Sequence, residues 1–309
     1  MKFTVHQSSR QGPKPHNQDR LAYSYSKDSV LLVIADGMGG YRHGEVAAQL
    51  AVKSLTEAFQ AQAKPRLANP VEFLTTQILD THRAIEALAL NDEMLESPRT
   101  TIVAAVLQGQ DMFCAHVGDS RLYHFRAGEL LFKTEDHSLV QRLFRKGLLR
   151  RVDMFTHPER HKIYNCLGGE REPKIDIAHS KNLEEGDIIL LCSDGLWTLV
   201  DDNTISKTLM EGMVSETVPK LLGMAESRAS LSGDNMSAIG LQWGDSHLSP
   251  LAVSTVTMPI DFATTIMSSD NQPTTIPNHN EATESDLSDE AIEQAIAEIQ
   301  SALKKTKSN

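Results

Sequence analysis

The chain has 309 residues, 40% hydrophobic and 23% charged, an ordinary balance for a globular protein with one large core or two small ones. Its formal charge is −11, and from Asp245 onward ten acidic residues face three basic ones, so seven of the eleven negative charges lie in the tail. That balance disfavours general nucleic-acid binding. No apolar stretch approaches the ~20 residues needed to span a bilayer, and the N-terminal MKFTVHQSSRQGPK carries no apolar signal region. Cys114, Cys166 and Cys192 are odd in number and far apart, which fits a reducing cytoplasm.

In chain order, the run SVLLVIADGMGG (29–40) reads as a buried strand stopped by Asp36-Gly37. In GEVAAQLAVKSLTEAFQA, Ala47, Leu50, Ala51, Ser54 and Ala58 repeat at helical spacing. Asn69-Pro70 opens a second helix, with Leu74, Ile78, Ile85 and Leu88 on one face. Strands are expected over 101–107, 112–117 and 121–125, the last two joined through Gly118-Asp119-Ser120 as a short hairpin loop. DHSLVQRLFRKG reads as a helix with Asp136 near its N-cap. GDIILLCSDGLW (186–197) repeats the first pattern, an apolar run ended by Asp194-Gly195. A helix from about Ser215 and a last strand over 236–243, just after Asp234, complete the unit. The pattern is not a regular βαβ alternation and predicts an α+β fold, sheet packed on sheet with helices outside.

One unit spans 1–244. The stretch 245–285, rich in Ser, Thr, Pro and Asn, reads as a disordered linker. Residues 286–306 read as a short amphipathic helix capped by Ser288, its apolar stripe (Ile292, Ala295, Ile296, Ile299, Leu303) serving either its own core or a partner or second copy.

Strand-end aspartates at 36, 119, 194 and 234 suggest a cluster, and clustered carboxylates repel unless a cation sits among them. Hard oxygen donors with no Cys/His cage favour Mg²⁺ or Mn²⁺ over zinc. Two such ions about 3.5–4 Å apart can share a bridging water, lower its pKa and direct the resulting hydroxide at phosphorus. Asp36, Asp194 and Asp234 can supply bridging and terminal carboxylates, and glycine at 37 leaves its carbonyl open to a metal. Turn formation by the Asp-Gly pairs is the competing reading, and for Asp119 a hairpin-turn role.

The ordered segments HNQDR (16–20), ADGMGG (35–40), GEVAA (44–48), TT (100–101), VGDSRLY (117–123), TEDHSLV (134–140), CLGG (166–169), CSDGLW (192–197) and GDNMSAI (233–239) resemble the metal-dependent Ser/Thr protein phosphatases of type 2C (PPM), in their compact bacterial form. The resemblance implies an αββα sandwich of two central antiparallel sheets flanked by helices. It implies hydrolysis of phosphoserine and phosphothreonine in proteins with two Mg or Mn ions, opposing a bacterial Ser/Thr kinase in the cytoplasm. Residue by residue, Asp36 would bridge the two metals with the Gly37 carbonyl as a further ligand. Asp194 and Asp234 would complete the pair, Asp119 with Asp194 would hold a weaker third ion, and Asp19 would act through water or support a ligand.

Two positions depart from the family. Lys14 stands where a phosphate-binding arginine is usual, which keeps the charge but loses the bidentate fork, so Arg20 or a flap arginine could share that role. Tyr41 and Met38 stand where some members carry histidine, and His43 is nearby, so the general acid is unassigned. The segment at about 141–165 corresponds to the family's mobile flap, and residues 141–162 hold seven Lys/Arg (Arg142, Arg145, Lys146, Arg150, Arg151, Arg160, Lys162) against Asp153 and Glu159. That basicity suits a dianionic phosphopeptide or simply a solvated face. No cysteine begins a Cys-x5-Arg motif, and no GDxH or GNHE element is present. The alternative function is a catalytically weak or inactive scaffold that binds phosphoproteins.

Overall fold

Every residue of the run 30–35 is buried, and this follows from where its strand lies. In the computed structural model, β3 (Ser29–Asp36) runs between β2 (Asp19–Ser26) and β4 (Ile102–Gln108). Val30, Leu32 and Ile34 face the interior between two sheets. Leu31, Val33 and Ala35 alternate with them and are buried on the other face, where helix α1 (Gly44–Gln62) packs on β2 and β3. A strand covered on both sides needs an unbroken apolar run.

The described residues are 1–38, 43–91, 97–154, 156–230, 233–244, 253–256 and 258–267. Among them, two six-stranded antiparallel sheets stack. One sheet has the order β12 (Ala263–Met267), β2, β3, β4, β5 (Asp111–Val117) and β8 (Asp176–Ser180). The other has the order β11 (Val253–Ser254), β1 (Lys2–Arg10), β10 (Met236–Trp243), β9 (Ile188–Cys192), β6 (Arg121–Arg126) and β7 (Glu129–Lys133). Between them Phe3, Leu21, Leu32, Val103, Leu122, Ile189, Leu191 and Ile239 form the central core.

A second core lies outside the β9 sheet, where Leu190, Cys192 and Ala238 meet Leu196, Val218, Leu221 and Leu222. Those residues come from α4 (Asp194–Trp197) and α6 (Val214–Arg228), with Ile205 and Leu209 of α5 (Asp202–Leu209) alongside. On the opposite side α2 (Pro70–Asn91) covers α1, and its predicted stripe Leu74, Ile78, Ile85, Leu88 is buried. The architecture is the expected αββα sandwich.

Three expectations are corrected. Gly118–Ser120 does not close a hairpin: β5 pairs with β4 and β8 in one sheet, β6 with β7 and β9 in the other, so the three residues carry the chain from sheet to sheet. Asp136 does not cap a helix. Its carboxylate takes a bidentate pair from Arg121, 2.8 Å from Nε and 2.7 Å from Nη2, while Ser138 caps α3 (Leu139–Arg145) by accepting the Gln141 N–H. Within the stretch read as linker, β11 and β12 are ordered edge strands, pairing with β1 and β2. Thr255 there bonds the N-terminal amine at 2.8 Å and the Lys27 carbonyl at 2.6 Å. Residues Met1–Ser268 form one unit. The expected helix at 286–306, the linker outside 253–256 and 258–267, and Tyr41 lie outside the described residues. Among the described residues, no helix is long and apolar enough to cross a membrane.

Candidate metal centre

Antiparallel pairing gathers the aspartates at one end of the sandwich. Asp36 closes β3 directly opposite Asp19, which opens β2. In the facing sheet Cys192, the last residue of β9, pairs with Ala238 of β10 and with Arg121 of β6. Asp194 just beyond β9, Asp234 just before β10 and Asp119 just before β6 therefore emerge together.

The two Asp-Gly pairs differ. Gly37 continues the ladder as a bridge to Thr100, and a Cβ there would lie 2.5 Å from the Gly44 carbonyl, so the start of α1 itself demands glycine. Asp194 instead begins the short helix α4, and a Cβ on Gly195 would meet the Asn235 carbonyl at 2.0 Å. Asn235 in turn staples the 11–18 loop to this end: its Oδ1 accepts the Gln18 N–H at 2.9 Å and its Nδ2 donates to the carbonyls of Gln11 (2.7 Å) and His16 (3.0 Å).

The carboxylates are poorly neutralised. Asp19 is buried, and its Oδ2 accepts from the Ser193 hydroxyl at 2.7 Å, a bond that crosses between sheets. Burial, with Asp194 and Asp234 nearby, pushes its carboxyl up to about 7 despite the hydroxyls of Ser193 and Ser237. Burial pushes Asp36 well up, and the charges of Asp19, Asp194, Asp119 and Asp234 add to it. Asp119 is likewise raised by burial, then by Asp194 and Asp136, against the guanidinium of Arg121. Asp194 is raised by burial and by Asp234, partly relieved by His161 and Lys14.

One oxygen each of Asp19, Asp119 and Asp194 is buried with no hydrogen-bond partner. Buried polar atoms are normally satisfied, and three open carboxylate oxygens beside like charges fit hard divalent cations. The residues predicted from sequence, Asp19, Asp36, Gly37, Asp119, Asp194 and Asp234, thus share one site. Asp119 is held from behind: its carbonyl accepts from Trp197 Nε1 at 2.9 Å, and that indole lies under the Arg121 guanidinium at 3.5 Å.

Lys14 reaches the cluster, with Nζ 3.2 Å from Asp234 Oδ1. Arg20 is engaged elsewhere, on Gln49 Oε1 and on the carbonyls of Asn17 and Asp19. His43 sits in left-handed backbone (φ 65°) before α1, its Nδ1 3.8 Å from Glu45. The residue that sequence reasoning passed over is His161, on the flap, whose Nδ1 lies 3.8 Å from Asp194 Oδ2. Its only sequence signal is its place in the basic 141–162 segment, all seven of whose Lys/Arg are exposed.

The family model described as Protein phosphatase 2C matches residues 7–227. A serine/threonine phosphatase stp of Listeria welshimeri is 34% identical over 196 residues, covering 63% of this chain and 77% of the relative. The solved Mycobacterium tuberculosis serine/threonine phosphatase PstP/Ppp superposes with a TM-score of 0.69 at 31% identity, covering 79% of this chain and all of that one. A PstP catalytic domain in complex with two manganese ions matches with a TM-score of 0.67 at 30% identity, over 79% of this chain and 99% of its own.

Proposed function

The chain belongs to the protein phosphatase 2C family and is a serine/threonine phosphatase; we propose that it acts on phosphoproteins of a bacterial kinase through two divalent ions. Asp36, the Gly37 carbonyl, Asp194 and Asp234 would hold the pair, magnesium or manganese, and Asp119 with Asp194 a weaker third. The observation that supports this most is the set of open carboxylate oxygens at the end where the two sheets meet. Bound there, the ions would neutralise phosphoryl oxygens and make water a stronger acid.

The chain's own residues do the rest. Lys14, already beside Asp234, places a positive charge at the rim for a phosphate oxygen. The Ser193 hydroxyl holds Asp19, and with it the start of β2 against the end of β9. The flap brings exposed Arg160 and Lys162 to either side of His161, at the mouth of the cluster, where cations attract a dianionic phosphopeptide. In the hydrolysis, water forms the new P–O bond, the ester P–O bond breaks, and the seryl or threonyl oxygen leaves with a proton.

The test is turnover of p-nitrophenyl phosphate and of a phosphothreonine peptide by EDTA-stripped protein, with and without added Mn²⁺. Manganese-dependent release of phosphate is expected. No turnover at any metal concentration would leave the scaffold reading, a phosphoprotein binder without catalysis.

A further inference from the structure

Three segments converge on His137, beside the carboxylates but apart from them. Its main-chain N–H donates to the Gly118 carbonyl at 2.9 Å, and its ring Nδ1 accepts the Gly118 N–H at 3.1 Å. Both polar backbone atoms of Gly118 are therefore held by one residue, immediately before Asp119. At the far end of the flap, Asn165 Nδ2 donates to the same Nδ1 at 2.7 Å, and the Tyr164 N–H donates to the His137 carbonyl at 3.0 Å. Asn165 is fixed in turn by the Lys174 backbone, accepting at 3.1 Å and donating at 2.7 Å. Ser138 and Ile163 bridge just beyond, and the Leu139 N–H meets the Lys162 carbonyl at 2.8 Å, so flap entry and exit are zipped at this point.

His116, His137 and Asp176 bring ligand-type atoms within 4.8 Å of one another, yet their bonding is wrong for a metal. Nδ1 of His137 accepts two N–H groups, so the proton sits on Nε2, which faces Asp176 Oδ2 at 3.3 Å. His116 Nε2 donates to the Glu135 carbonyl at 2.9 Å. The two rings are stacked, 4.7 Å apart and 16° from parallel, so their in-plane lone pairs do not converge. The trio is a packed post rather than a cage: the rings stack, and His137 Nε2 faces Asp176 without a hydrogen bond.

The post matters because the corner it holds has little else. Residues 118–120 leave one sheet for the other and lie outside both ladders. Gly118 is in left-handed backbone (φ +108°), packed so tightly that a Cβ would lie 2.6 Å from the Thr101 side chain. Besides His137, the corner is held by the Thr101–Ser120 hydroxyl pair (2.7 Å) and by Trp197 on the Asp119 carbonyl.

We propose that His137 is a positioning residue: it sets Asp119 by gripping Gly118, and because the same ring nitrogen holds Asn165, the base of the flap and the Asp119 corner move as one. The part of this that concerns metal rests on Asp119 holding the weaker ion.

The test uses the full chain and two substitutions that split the ring's contacts. His137→Asn places an oxygen where Nδ1 was, and His137→Gln carries its amide out towards Asp176. Hydrogen exchange on metal-free protein is the first readout. His137→Gln is expected to speed exchange in both 117–120 and 139–165, and His137→Asn to restore both. Manganese titration by calorimetry is the second: His137→Gln should weaken the weakest ion by about 10-fold and leave the tight pair alone, with rescue by His137→Asn. Should His137→Gln not fold, Asn165→Leu loosens the flap end of the contact and is expected to speed exchange at 117–120 as well. Unchanged exchange, loosening of only one of the two segments, or equal weakening of all ions would overturn the proposal. Asp119→Asn serves as the separate control: undiminished manganese stoichiometry there removes the metal role of Asp119, while the exchange data still decide the coupling.

Discussion

Strand β9 has an aspartate beyond each end, one fully and one largely buried, and the two have opposite fates. Asp187, just before the strand, is fully buried. It takes Arg126 bidentately at 2.7 and 2.8 Å, His124 Nε2 at 2.9 Å and the Glu184 N–H at 2.9 Å. Burial alone would push its carboxyl up, but these partners outweigh burial and hold it below the usual range. Asp194, two residues past the other end, has one open oxygen and like-charged neighbours, and its carboxyl is raised. The difference teaches how to read a buried carboxylate. One whose bonds close within the chain is architecture; one left open among its own kind is waiting for a cation supplied from outside.

Substitutions at the two ends break the comparison most sharply. Asp36→Asn or Asp194→Asn should lower kcat by at least about 10³-fold, the scale of several kcal/mol of charge stabilisation at phosphorus, while the metal-free fold melts no lower than wild type. Near-normal turnover in steady-state assays would remove either residue from the centre. Asp187→Asn should do the reverse, costing about 3 kcal/mol in denaturant unfolding because it removes the buried charge shared by Arg126 and His124 and leaves Arg126 only Glu184 and the Asn182 carbonyl, with manganese affinity retained.

The pH dependence is a gentler probe. Carboxyls raised in the folded state keep protons that the unfolded chain releases above about pH 4. Metal-free stability contributed by Asp19 is therefore full below pH 4 and lost as pH rises to its folded value of about 7. Melting curves in EDTA should show Tm falling over that interval, and the Tm gain on adding Mn²⁺ should be larger at pH 7.5 than at 5.5. A flat profile would mean the cluster is neutralised within the chain after all. The smallest effect is expected from Lys14→Arg: a fork in place of a point charge should lower KM for a phosphopeptide by about 2- to 10-fold, and unchanged kinetics would place Lys14 on Asp234 alone.

Much of this was legible in the chain. Apolar runs ended by Asp-Gly identified β3, β9 and the site end, because strands covered on both faces must be apolar throughout. The corner at 118–120 was misread as a hairpin because a tight turn and a change of sheet share the same local residues, and only the partners of β5 and β6 tell them apart. Asp136 looked like a cap because its real partner, Arg121, is 15 residues away on another element. Strands β11 and β12 were hidden by their composition: edge strands pair through backbone and bury few side chains, so Ser/Thr-rich sequence gives them no apolar signal. His161 was missed because only the path of the flap brings it to Asp194.

The Asp19–Ser193 bond also spans the gap between sheets, and so does the proposed ligand set: Asp36 and Gly37 from one layer, Asp194 and Asp234 from the other. Neither layer alone offers a complete cage. Manganese uptake during refolding would then report the instant at which the two halves dock, and a half-assembled chain, with one sheet formed, would pass through the cell unarmed.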